Sequence, residues 1–299
     1  MRSPRLSALY AVALVAGCTS APESRAAELD SDAPRLAAAE AKALPASSLP
    51  NELSTEPLDP APVCVRIEDL PPPGASADVG KNPRIEREPE GAKLQVPEGF
   101  AVQLFAESLD EPRWPALDPR GDVLVTETRK NRITRLIDAN RDGVAERREV
   151  FASEANGLEL PFGMAFAEVE GETRFFLGNH DEVRSYPYAG DGPLEGRGER
   201  IARLPGGGYR QHWTRNVVVA PSGDALFVSV GSESNHGIEP LPRASIQTMR
   251  LDGSQMRTFA HGLRNPVGLA FQPRTGALYA TVNERDRLGD DLVPDFLAR

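Results

Sequence analysis

Cysteine and histidine are both scarce in this chain, with two of the first and four of the second in 299 residues. Cys18 and Cys64 cannot build a disulfide framework, and no CxxCH haem motif occurs, so the polypeptide carries no cytochrome of its own. No two histidines stand at a metal-pair spacing, which argues against a zinc or copper site. Basic charge is short as well. Lys and Arg number 34 against 44 Asp and Glu, giving a net charge of −10. Aromatic residues make up only 6 %, and no basic stripe interleaves with them. That balance argues against a nucleic-acid partner. Long apolar runs are missing too: the run from Leu6 to Ala16 is too short to cross a bilayer as a helix.

That short run comes after Arg2 and Arg5 and ends in LVAGC at 14–18, which resembles the lipobox of bacterial lipoproteins. The expectation is a signal peptide over 1–17 and lipid on the Cys18 thiol. The protein would then be exported and anchored to the bacterial cell envelope on the periplasmic side, touching membrane through its lipid alone. Residues 18–93 are rich in Ala, Pro, Ser, Glu and Asp, with three prolines at 71–73. Such a segment buries too little apolar surface to offset its ordering entropy, and reads as a disordered tether.

From residue 94 the chain turns globular and repetitive. Four units each give an apolar strand, a turn on Gly, a second apolar strand and a polar loop. They are WPALDPRGDVLVTETR at 114–129, GMAFAEVEGETRFFLGNHDE at 163–182, VVVAPSGDALFVSVGSESNH at 217–236 and GLAFQPRTGALYATVNERD at 268–286. The turn glycines Gly121, Gly171, Gly223 and Gly276 lie 50, 52 and 53 residues apart. A strand-filled period of that size predicts an all-β fold, a β-propeller with one blade per unit. In an antiparallel hairpin, the residues before the first strand and those after the second share one end. The leading segments (PFG at 161–163, HWTRN at 212–216, RNP at 264–266) and the trailing loops therefore meet on one polar face.

Several ordered motifs now carry a likeness: VPEGFAVQLFAESLDEPR at 96–113, NRITRLIDANRDGVAE at 131–146, LPFGMAF at 160–166, the HWTRN segment, GLRNPVGLAF at 262–271 and NERDRLGDDLVPD at 283–295. Over 94–299 the chain resembles the glucose/sorbosone dehydrogenase family, closer to its sorbosone branch than to the soluble glucose dehydrogenases. The resemblance implies a six-bladed propeller, of which about four blades lie in this chain, and pyrroloquinoline quinone with calcium as cofactors. It implies hydride transfer from a sugar or sugar-derived aldehyde to the quinone, with electrons passed on to an external acceptor. Further basic quinone ligands of the family come from later blades, so the chain reads as truncated at its C-terminus and inactive as it stands.

The same resemblance places roles on residues. His212 matches the catalytic base, and Arg210 and Arg215 nearby would disfavour its protonated form. Gln211 stands where glucose-type members have an orienting Asp. Arg264 and Asn265 match the pair at the quinone, where a guanidinium stabilises developing anionic oxygen and an amide bonds a carbonyl. The 283–291 loop matches the segment whose backbone carbonyls hold calcium, here at Asp286 and Arg287. A second calcium candidate rests on spacing alone. Asp138, Asn140, Asp142, Val144 and Glu149, with Gly143 and Glu146, fit a D-x-N-x-D-G loop between two strands. The bland alternative there is an acidic turn held by its own side-chain hydrogen bonds. Two other functions compete with the dehydrogenase: a calcium-dependent propeller lactonase, and a non-catalytic lipoprotein that binds glycan or protein.

Overall fold

A computed structural model describes residues 51–59, 61, 66–77, 84, 86–87, 89–206 and 212–299. Cys18, Cys64, Arg210 and Gln211 therefore lie outside the described residues. Antiparallel sheets dominate. The first blade is β3 (Trp114–Leu117), β4 (Val123–Glu127), β5 (Arg132–Ile137) and β6 (Arg147–Ala152). The second is β7 (Met164–Val169), β8 (Glu172–Gly178), β9 (Glu182–Pro187) and β10 (Glu199–Arg203). The third is β11 (Val217–Val219), β12 (Ala225–Val230), β13 (Ser245–Arg250) and β14 (Arg257–His261). The fourth holds three strands, β15 (Asn265–Phe271), β16 (Leu278–Asn283) and β17 (Phe296–Ala298). Every blade is an up-and-down meander, so the described residues form an all-β, four-blade propeller arrangement.

The turn glycines work through their backbone. Gly121, Gly171, Gly223 and Gly276 all have positive φ, between 66° and 91°, and open space where a Cβ would stand. A left-handed turn closes each inner hairpin, and glycine adopts it without the Cβ clash of other residues. Strand alternation then builds the interior. On β8, Phe175 and Leu177 join the cluster between the first two blades, while Phe176 joins the cluster between the second and third. On β12, Leu226, Val228 and Val230 face the second blade, and Phe227 packs towards the fourth. The middle strands are thus buried on both faces, which explains their nearly unbroken apolar runs.

One charged cluster also ties the first blade to the second. Arg135 is buried, stacks its guanidinium 4.7 Å from the Phe151 ring and lies 3.6 Å from Asp118. Asp118 accepts a 2.6 Å hydrogen bond from the Tyr188 hydroxyl, and burial together with that bond raises the Tyr188 pKa.

The disordered tether expected through residue 93 is corrected at its C-terminal part. β1 (Thr55–Pro57) pairs in parallel with β2 (Leu94–Val96). Leu53 donates to Val102 O at 2.9 Å, Gly74 to Leu288 O at 2.7 Å, and Asp290 N to Ser76 Oγ at 2.6 Å. Backbone hydrogen bonds need no apolar side chains, so a segment poor in hydrophobic residues can still dock along a free strand edge.

Candidate functional site

His212 sits just before β11 and is 4 % exposed. Its Nδ1 lies 2.8 Å from Ser232 Oγ and 3.2 Å from Ser232 O, at the end of β12. The Ser232 hydroxyl already donates its one proton to Ser234 O at 2.6 Å. Ser232 Oγ must therefore accept, which puts the hydrogen on Nδ1 and the lone pair on Nε2. Burial lowers the His212 pKa to about 4, with the Arg264 charge adding to the effect; Ser232, Asp286 and Glu239 oppose it. The imidazole is neutral at physiological pH, with its basic nitrogen fixed by one serine. Ser232 is the residue that sequence reasoning misses. That reasoning seeks a carboxylate next door at position 211, whereas the orienting group comes from the trailing loop of the same blade.

The like charge felt by His212 belongs to Arg264, whereas Arg215 serves the backbone. Its guanidinium donates to His212 O at 2.9 Å, Thr214 O at 2.8 Å and Pro205 O at 2.9 Å. It is completely enclosed, and burial lowers its pKa to about 10, assisted by Arg243.

Arg264 is 8 % exposed and fully engaged by protein oxygens. Nε donates to Asn235 O at 2.9 Å, one terminal nitrogen to Asn283 O at 3.3 Å and to Glu284 O. The other terminal nitrogen donates to Asn235 Oδ1 at 2.7 Å and to Asp286 Oδ2 at 2.8 Å. These partners match all five N–H donors of a guanidinium. In this arrangement Arg264 braces the trailing loops of the third and fourth blades and acts on His212 through its charge.

Asn265 differs from its neighbour. It opens β15, is buried, and its Oδ1 has no hydrogen-bond partner. A Cβ on Gly231 would come within 2.5 Å of that oxygen and 2.7 Å of His212 Cβ, so both side chains flank this glycine. An orphaned amide beside a neutral base marks a place where a polar ligand atom would be welcome.

The calcium candidates fare unequally. Asp286 O already accepts from Asn235 Nδ2 at 3.0 Å, while Arg287 has a left-handed φ of 71°. In the other loop, ligand atoms of Asp138, Asp142 and Glu146 lie within 4.8 Å of one another. The Asp138 and Asn140 oxygens accept from Asp142 N at 3.1 and 2.9 Å, and Asp142 Oδ1 accepts from Val144 N at 2.9 Å. Glu149 stands apart from this group, on β6 against Arg135 at 3.2 Å. Glu127 and Asn179, both in trailing loops, are buried and hold their own blades together: Glu127 accepts from Arg132, and Asn179 donates to Gly157 O at 2.9 Å.

Known proteins resemble this chain mainly over the propeller. A protein of Borreliella burgdorferi without assigned function is 24 % identical over 208 residues, covering 68 % of this chain and 52 % of its own. This chain thus spans about half the length of that relative. A Trichoderma reesei carbohydrate-active enzyme of family AA12 superposes in an iodide structure with TM-score 0.54, at 18 % identity, over 64 % of this chain and 52 % of its own. Its calcium structure gives TM-score 0.53 at 19 % identity, over 65 % and 53 %. The quinone domain of Coprinopsis cinerea pyranose dehydrogenase is 25 % identical over 60 % of this chain and 45 % of its own, with TM-score 0.49. Residues 94–294 match the family described as TrAA12-like, and the chain belongs to that family.

Proposed function

We propose that this chain carries the active-site half of a quinone-dependent dehydrogenase that oxidises a sugar or a sugar-derived aldehyde of the sorbosone or aldose type. The observation that carries the proposal is His212: a buried, neutral imidazole with its proton on Nδ1, placed beside the unpartnered Asn265 amide. Pyrroloquinoline quinone, when bound, would supply the hydride acceptor. The residues fit such a group at two points. His212 Nε2 would take the hydroxyl proton of the substrate as its carbon gives up hydride. Asn265 would meet a polar edge of the cofactor. Arg264 would act at one remove, keeping His212 neutral and holding the 283–286 loop in place.

A quinone titration of the protein with its full six-bladed ring, tracked by absorbance in the presence of calcium, tests the Asn265 assignment. Asn265→Ala should weaken binding by roughly tenfold, the scale of one lost buried hydrogen bond. Equal affinity in the variant would remove Asn265 from the site.

The finer features of the reading belong to the same proposal. Calcium would bind at Asp138, Asp142 and Glu146, where a hard cation finds carboxylate oxygens within 4.8 Å of one another. The full ring would have six blades. Cys18 would carry lipid and hold the protein on the periplasmic side of the envelope, with electrons leaving to a separate acceptor. Cys18→Ala should then release the protein from membranes, and unchanged membrane retention would contradict the anchor.

A further inference from the structure

We infer that Glu159, His180 and Asp181 form a binding site for a divalent first-row transition cation on the polar face of the second blade. His180 Nδ1 lies 3.9 Å from Glu159 Oε1 and 3.8 Å from Asp181 Oδ1. Ligand atoms of the three residues all fall within 4.8 Å of one another. Both His180 separations are too long for hydrogen bonds. They suit donors arranged around one shared ion, each about 2.1 Å from it.

The second observation is the imidazole nitrogen itself. Nδ1 is shut off from solvent and has no hydrogen-bond partner, although the ring as a whole keeps 20 % exposure. A buried ring nitrogen aimed between two carboxylates wants either a proton to share or a cation to bind. One imidazole with two carboxylates is a donor set for zinc, manganese or iron rather than for calcium or magnesium, which take oxygen alone.

The surrounding backbone holds these side chains in position. Buried Asn179 accepts from Glu159 N at 3.1 Å and donates to Gly157 O at 2.9 Å. His180 N donates to Glu159 O at 3.2 Å, and Leu204 N to Asp181 O at 2.7 Å. Leu160 is fixed in a left-handed conformation, φ 47°, with its N–H on Asn131 Oδ1 at 2.8 Å. Glu159 and Asp181 keep 66 % and 46 % side-chain exposure, so an ion can enter. Gly206 completes the enclosure, because a Cβ there would stand 2.8 Å from Asp181 Cβ and 3.3 Å from His180 Nε2. A bound cation would pin residues 204–206, which follow β10. Histidine-pair spacing could not reveal the site, since its ligands are one histidine and two carboxylates from two loops.

The test is a calorimetric titration of zinc into metal-stripped full-length protein at pH 7, with magnesium as the control cation. One equivalent of zinc should bind, and magnesium should not compete. His180→Ala and Asp181→Asn should each weaken zinc binding at least tenfold, whereas Glu195→Gln, at an exposed residue of the same blade, should leave it unchanged. Glu159→Gln, at an exposed side chain that folding does not need, keeps the test valid should the other variants unfold. Zinc should also raise the melting temperature of the parent chain and of Glu195→Gln, with no rise in the site variants. Absence of stoichiometric zinc binding, or binding unaltered in the site variants, would overturn the site.

Discussion

At the scale of the residue, one buried nitrogen organises the candidate chemistry. His212 folds as a neutral ring with its pKa lowered to about 4, whereas in the unfolded chain it titrates near its ordinary value of about 6.5. Between those values the unfolded chain binds a proton that the native protein does not. The stability that His212 contributes is therefore present above pH 6.5 and is lost as pH falls towards 4. Melting temperatures taken across that window should fall less steeply for His212→Asn than for the parent. Identical slopes would mean that His212 titrates alike in the native and unfolded states, against the lowered native value. The proposed role of this histidine comes from the family resemblance of HWTRN, but its partner is not legible there. Ser232 lies 20 residues away, and only the turn of the third blade brings it to 2.8 Å. The bracing contacts of Arg264 are illegible for a different reason: most of its partners are backbone carbonyls, which leave no mark in a sequence.

At the scale of the element, close approach of backbones decides which substitutions the blades tolerate. Gly163 N donates to Arg215 O at 3.0 Å, where the second blade meets the third. A Cβ at Gly163 would overlap Val217 N and lie 2.7 Å from Arg215 O, and neither backbone atom can swing aside. Gly163→Ala should destabilise the fold by about 2 kcal/mol or more, measured by urea denaturation, and should loosen the segment that presents His212. A melting curve indistinguishable from the parent would show that the blades can separate there at no cost. The inner hairpins are readable because a positive-φ glycine and two buried strands recur in each. Outer strands such as β10, with Glu199, Arg200 and Arg203 among its five residues, lack that signal because one face meets solvent. The docking of 51–58 is illegible too, since it rests on main-chain pairing.

At the scale of the whole molecule, the propeller gathers the leading and trailing segments of successive blades onto one face. His212, Ser232, Arg264, Asn265 and Asp286 meet there although they span 75 residues of sequence from 212 to 286. The proposed cation site sits on the same face in the neighbouring blade, linked to His212 through Arg215, whose pKa the Asp181 charge helps to sustain.

The central claim is that His212 is the base of a quinone-dependent oxidation. The most direct measurement is sugar- or aldehyde-dependent reduction of an artificial electron acceptor by the protein with its full six-bladed ring, supplied with pyrroloquinoline quinone and calcium, comparing the parent with His212→Ala. The account predicts turnover that requires the quinone and falls by about 10²–10⁴ in the variant, with quinone affinity changed far less. Turnover in His212→Ala equal to the parent, or oxidation that proceeds without the quinone, would contradict it.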